Sequence, residues 1–295
     1  MEKYITKLSN MNSINSSKFF NLLVRDKFLI TRVGNVEFNA CRGKHLHEFP
    51  SSVTIPTCNT IDQYIRRNAG FYYKKPYKSL NCRQVFYLWQ NKYINCMFDS
   101  DLVLVYKHHL KDFLHIFEKE TNVIHKINHE VFFEDLEFYL YLLEFYTSIL
   151  DKKILIVSHF TDTMQKQLQK FKMIFPQYNI KTENIIFYKS FQTIEGNSIH
   201  SNWLETFEMM ANDIEKLDFD ITFMGCGCYG LPLAHHIYTK MNKSCLYLGG
   251  IIQLLFAIRG RRWEIRSKYS THFLFKKLNN YWIYPAEHEK PFNYK

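Results

Sequence analysis

The chain has 295 residues, 46% of them hydrophobic and 22% charged, which excludes an intrinsically disordered protein and leaves room for one large or two modest domains. Its 38 basic and 28 acidic residues give a net charge of +10, which favours anionic partners such as nucleotides, sugar phosphates or headgroups over cationic ones, or else simply a basic surface. The seven cysteines are scattered, odd in number and form no C-x-x-C pair, so they argue against a zinc site and a disulfide framework and for a reducing, cytoplasmic setting.

In chain order, the opening residues "MEKYITKLSNMNSINSS" have no apolar core of the kind a signal peptide carries. "KFLITRVG" (27–34) then reads as a strand and a turn. In "TRVGNVEFNACRG" (31–43), Glu37 is expected at the carboxyl end of that strand, with Arg32 before the turn and Gly34 and Asn35 shaping it. A carboxylate there suits a general base, a metal ligand or a ribose contact, though on pattern alone a cap or a salt bridge is the better reading.

Residues 45–150 are rich in aromatic, helical-looking segments with few glycines, interrupted by a second strand-length run, "DLVLVYK" (101–107). The greasiest stretch, "LEFYLYLLEFYTSIL" (136–150), carries Glu137 and Glu144 and falls short of a membrane span, so it reads as a buried helix. No transmembrane segment is expected.

From 152 the texture changes. "KKILIVSHF" is a strand ending near Ser158, "TDTMQKQLQKF" a polar amphipathic helix and "ENIIFYKSF" another strand. "NWLETFEMMANDIEKL" is a helix with Asn202 as N-cap, Glu205 completing a capping box, and an apolar stripe of Trp203, Phe207, Met210, Ile214 and Leu217. "FDITFM", "YGLPLAHHIYTKM" and "SCLYLGG" continue as strand, helix and strand. Almost wholly apolar strands alternating with helices predict an α/β fold: a mostly parallel, Rossmann-like sheet with flanking helices and a helical, aromatic-rich insertion in the N-terminal half. Residues 1–150 would hold the first strand, the Glu37 turn and an acceptor-side region; 151–295 would hold the nucleotide-binding part, the two possibly continuous as one domain.

Gly225, Gly227 and Gly230 have the G-x-G-x-x-G spacing of a dinucleotide loop, between a strand and a helix, where backbone N–H groups can meet a phosphate. A dinucleotide site also needs an acidic residue about 20 positions on, and none occurs between Gly225 and Glu264. That argues against an NAD-type oxidoreductase and against S-adenosylmethionine. A purely structural role, three glycines in a crowded turn, also fits the pattern. Beyond a glycine pair, "GGIIQLLFAIRGRRWEIR" supplies Gln253 and a cluster with Arg259, Arg261, Arg262 and Arg266, suited to clamping a diphosphate or forming a solvated basic turn. The cluster is too short, and too poor in basic–aromatic interleaving, to predict specific nucleic-acid binding.

"RVGNVE" (32–37), "ILIVSHFTDTMQKQ" (154–167), the stretch from Gly196 to Tyr238 and "SCLYLGGIIQLLFAIRGRRW" (244–263) together resemble the GT-D type of glycosyltransferase; "RNAGFYY" (67–73) extends the likeness. The resemblance covers roughly half the chain. It implies a nucleotide-diphosphate sugar as donor, a glycan or other hydroxyl acceptor, and an Asp-x-Glu pair at a strand end, for which this chain has Asn35-Val36-Glu37. An amide is no anionic metal ligand, so the implied chemistry needs no divalent metal, with Arg259 and Arg262 neutralising the leaving diphosphate instead. Glu37 would be base or donor-site carboxylate, Asn35 a hydrogen bond to the nucleotide, and Arg32, Gly34, Ser158, Gln253 and the three loop glycines the nucleotide and phosphate contacts. The same departure at Asn35 equally fits a catalytically silent nucleotide- or glycan-binding module.

Overall fold

A computed structural model describes residues 25–45, 65–105, 127–128, 151–174, 182–260 and 280–291. Seven strands form one sheet: β1 (Leu29–Arg32), β2 (Leu102–Leu104), β3 (Ile127–Asn128), β4 (Ile154–Ser158), β5 (Ile185–Lys189), β6 (Ile221–Gly225) and β7 (Ser244–Tyr247). Their order is β3-β2-β1-β7-β6-β4-β5, and every pairing is parallel. Both halves of the chain contribute to this sheet, because β1 lies between β2 and β7. The α/β architecture is thus the one the alternating apolar runs predict.

Strand side chains alternate between two cores, as a period of two requires. Leu155, Val157, Met224 and Cys245 face one core, Ile154, Ile156, Phe223 and Leu246 the other. The first face is covered by α1 (Asn35–His45), α2 (Cys82–Asp99), α5 (Trp203–Ile214) and α6 (Gly230–Lys240). The second is covered by α3 (Thr161–Leu168), α4 (Phe171–Ile174) and α7 (Ile252–Leu255). Burial on both faces is why these strands read as continuous hydrophobic runs.

Among the described residues of the N-terminal half, Phe38, Phe71, Phe86, Trp89 and Tyr93 lie in the first core. Asn81 caps α2 in a full capping box with Gln84, and Phe86, Trp89 and Tyr93 line its buried side. Trp89 and Phe71 lie 5.9 Å apart between ring centres, and Trp203 stacks on Phe207 at 5.1 Å and on Tyr229 at 5.7 Å. Trp89 also donates its indole N–H to the Cys228 carbonyl at 2.9 Å, so it is core with a hydrogen-bonded tip. Asn202 caps α5 as expected, accepting from Leu204 N at 3.0 Å, but Glu205 reaches one residue further back, to Ser201 N at 2.6 Å. The run 136–150 lies outside the described residues, and among those described no helix is long and apolar enough to cross a membrane.

Candidate functional site

In an open parallel sheet a ligand crevice forms where the chains leaving two neighbouring strands go to opposite faces. Among the described residues this holds at β1–β7, β7–β6, β6–β4 and β4–β5, and two of these junctions border predicted residues most closely. β1 leads into α1 on the first face and its neighbour β7 into α7 on the second; β4 leads into α3 on the second face and its neighbour β6 into α6 on the first.

The crevice between β1 and β7 gathers most of the predicted residues. Arg32 ends β1 and is only 6% exposed. Gly249, just after β7, has φ +59°, and a Cβ there would fall 2.4 Å from Arg32 Nη1, so only glycine lets the guanidinium close on this backbone. The chain then turns directly into α1, where the sequence suggested a longer turn. Gly34-Asn35 looks like a turn signal, yet Gly34 O accepts from Phe38 N at 2.9 Å and opens the helix.

That change separates Asn35 from Glu37. On a helix, residues two apart point away from each other, and here Asn35 is exposed whereas Glu37 is 7% exposed. Glu37 folds back over Gly34, whose absent Cβ leaves room for it: a Cβ there would fall 2.1 Å from Oε2. Gly34 N donates to the Tyr93 hydroxyl at 3.2 Å, which fixes the start of α1 to α2.

Among the described residues, Glu37 acts on neutral phenol and thiol groups. Burial, and then the Glu37 charge, push the Tyr93 phenol and the Cys226 and Cys228 thiols up. Tyr247 is pushed up by burial and by Glu37, with Arg32 pulling the other way, which places its ring within electrostatic reach of both. Its hydroxyl donates to Gly227 O at 3.3 Å. These phenols and thiols therefore stay protonated at neutral pH, and the thiols are inert as nucleophiles.

Gly225, Gly227 and Gly230 make room for protein. A Cβ at Gly225 would fall 2.2 Å from Gly249 O, one at Gly227 2.5 Å from Ala69 O, and one at Gly230 1.9 Å from Tyr247 Cε2. Their spacing thus brings the β7 loop, the end of the 65–69 helix and the Tyr247 ring against the β6 turn. The "RNAGFYY" segment consequently borders the site: Gly70 O accepts from Thr193 Oγ1 at 2.6 Å, and Thr193 also meets the Tyr229 hydroxyl at 3.1 Å.

Other predicted residues lie elsewhere. Ser158 is fully buried, its Oγ accepting from Phe160 N at 3.2 Å, so it shapes the turn after β4. Gln253 is buried in α7, and its carbonyl accepts from Ile258 N at 3.0 Å. Arg259 N donates to Ile283 O at 2.7 Å and its guanidinium lies 5.7 Å from the Tyr284 ring centre, which ties it to the segment 280–291. Arg261, Arg262, Trp263 and Arg266 lie outside the described residues.

One polar cluster had no sequence signal at all. Asp162, His288 and Glu289 bring ligand-type atoms within 4.8 Å of one another at the start of α3. Their place for a cation is already taken: Lys189 pairs with Asp162 and lies 4.0 Å from Glu289, and Glu289 accepts from two backbone N–H groups of α3. Next to it His159, at the end of β4, has its imidazole pKa lowered by burial.

Comparison with family models, curated proteins and solved structures gives no match to this chain. The class defined by fold and site is therefore a doubly wound α/β protein with a buried arginine and a buried carboxylate at one strand crevice.

Proposed function

We propose that the protein is a glycosyltransferase that moves a sugar from a nucleotide-diphosphate donor to a hydroxyl acceptor. The observation that carries this reading is that Arg32 and Glu37, both more than nine-tenths buried, flank the turn from β1 into α1, Arg32 closing on Gly249 after β7 and Glu37 folding over Gly34. Arg32 neutralises charge that builds on the departing diphosphate, and Tyr247 and the backbone at Gly249 hold it in place. Glu37 takes the proton of the acceptor hydroxyl or attacks the anomeric carbon. The resemblance of "RVGNVE" to the GT-D strand end supports the same assignment. Asn35, exposed and an amide, adds no anionic ligand, so turnover is expected to persist in chelator.

A second reading, a silent nucleotide-binding module, is favoured by the separation of Asn35 from Glu37. Calorimetric titration with UDP, GDP, dTDP, NAD and S-adenosylmethionine tests both. Binding of one nucleoside diphosphate with release or transfer of its sugar supports the transferase. Binding without turnover supports the module, and binding of NAD alone contradicts both.

A further inference from the structure

We propose that Arg66 is a second anion-binding residue on the acceptor side of the crevice, so that the hydroxyl compound receiving the sugar itself carries a phosphate or carboxylate. The anion site stands on its own geometry; its assignment to the acceptor rests on the transferase reading.

Arg66 lies on the short helical turn 65–69 and is half-buried. Its Nη2 donates to Glu195 O at 2.9 Å. The guanidinium lies against Gly196, where a Cβ would fall 2.9 Å from Nη2, 3.0 Å from Nε and 3.1 Å from Cζ. Glu195 and Gly196 are both left-handed, with φ +60° and +71°. That conformation is unfavourable for a residue other than glycine such as Glu195, and a side chain at 196 would push the guanidinium away. The same device, a guanidinium closed on a left-handed glycine, sets Arg32 against Gly249.

What Arg66 lacks is a counterion. The carboxylate of Glu195 is paired with the next residue, Arg67, whose Nε lies 3.6 Å from Oε1. Among the described residues Glu195 O is the one acceptor that the Arg66 guanidinium has, and its Nε is buried with no hydrogen-bond partner. A guanidinium is always charged, carries five N–H groups and is normally paired where it leaves water. Here the Nε–Nη2 edge is turned to the 195–196 backbone. Nη1, with two N–H groups, and the second N–H of Nη2 are left for an external oxyanion, and together they form the fork that a phosphate or carboxylate takes in bidentate fashion.

The position ties this fork to the crevice. Arg66 stands three residues before Ala69, whose carbonyl fills the space beside Gly227. Gly227 O in turn accepts from Tyr247, the last residue of β7. Thr193 fastens the other end of the turn by donating to Gly70 O. Arg32, only 6% exposed, suits a leaving group enclosed by protein, whereas the half-buried Arg66 suits a group arriving from solvent. Two arginines on separate elements of one crevice thus fit two separate anions, the donor's diphosphate and the acceptor's own charge.

The test is calorimetry of the full chain with three hydroxyl compounds that differ in charge: glycerol, glycerol 3-phosphate and glycerate. Wild type is expected to bind at least one of the anions about ten-fold or more tighter than glycerol, and Arg66→Ala to lose that advantage. The tighter of the two names the oxyanion. Gly196→Ala, which displaces the guanidinium, should weaken the same ligand. Glycerol binding as tightly as both anions, or an advantage that survives Arg66→Ala, overturns the proposal. If Arg66→Ala does not fold, Arg66→Gln keeps a donor for Glu195 O and removes the charge: a similar loss is expected, and unchanged affinity overturns the proposal. Nucleoside diphosphate affinity should stay within about two-fold of wild type in Arg66→Ala; an equal loss there would put Arg66 in the donor site and overturn the assignment. Failure of the transferase reading looks different: Arg66-dependent anion binding without sugar transfer from any nucleotide sugar upholds the anion site and removes only its acceptor role.

Discussion

The middle of the sheet's carboxyl edge and its β5 end solve the same electrostatic problem in opposite ways. At the β1–β7 crevice the buried groups are an arginine and a carboxylate set among neutral phenols and thiols, with glycines at 34 and 249 giving them space. At the ends of β4 and β5 a carboxylate from the C-terminal segment already satisfies the helix start. The difference teaches that a helix N-terminus beside a parallel sheet is not in itself a free ligand site, because the protein's own anion satisfies it equally well.

The largest effect should come from the first region. Glu37→Gln is expected to lower sugar transfer by about 10²–10⁴-fold, the usual range for a lost general base, while nucleoside diphosphate binding falls far less. Steady-state kinetics beside calorimetry check this, and a loss of binding equal to the loss of turnover would break the assigned role.

Glu289→Ala belongs to the second region and should cost stability instead. It leaves two backbone N–H groups and a hydroxyl without their acceptor, worth about 1–3 kcal/mol in denaturant unfolding. Transfer activity should change little if the two regions are as separate as the fold places them.

Gly249→Ala sharpens the first region again. Its positive φ and the closeness of Arg32 predict a destabilisation of roughly 1–3 kcal/mol together with weaker diphosphate binding, because Arg32 must move. Unchanged binding would remove Gly249 from the site.

The smallest effect is a pH dependence in the second region. Burial lowers the folded-state pKa of His159 below its ordinary 6.5. As pH falls, the unfolded chain binds the proton first, so the stability contributed by the neutral ring is full above about 6.5 and declines as pH drops toward the folded-state pKa. His159→Asn should flatten that slope in urea titrations run downward from pH 7 through the unfolded value of about 6.5. An unchanged slope would mean that the ring is not held neutral.

Much of the fold was legible because double burial writes itself into local sequence. The runs at 154–158, 221–225 and 244–247 are strands, and the helix from Trp203 carries its stripe and its Asn202 cap where expected. α1 was not legible: "GNVEFNACRGKH" opens on glycine and asparagine, both turn formers, and its apolar residues are sparse, so nothing local revealed that Phe38 and Cys41 would be buried. Within the site, Arg32 and Glu37 were visible as charged residues flanking an apolar strand. The glycine triplet pointed to a phosphate, but the neighbours filling the space beside each glycine come from residues 69, 247 and 249, which no local pattern discloses. The Glu289 seat was invisible for the same reason, since its partner Thr163 is 126 residues away.

The most direct measurement is a nucleoside diphosphate titration of wild type, Arg32→Ala and Lys189→Ala side by side. The account predicts that Arg32→Ala weakens binding by about ten-fold or more, while Lys189→Ala stays within about two-fold of wild type. Loss of binding in Lys189→Ala with Arg32→Ala unaffected would contradict it, and would move the nucleotide from the β1–β7 crevice to the ends of β4 and β5.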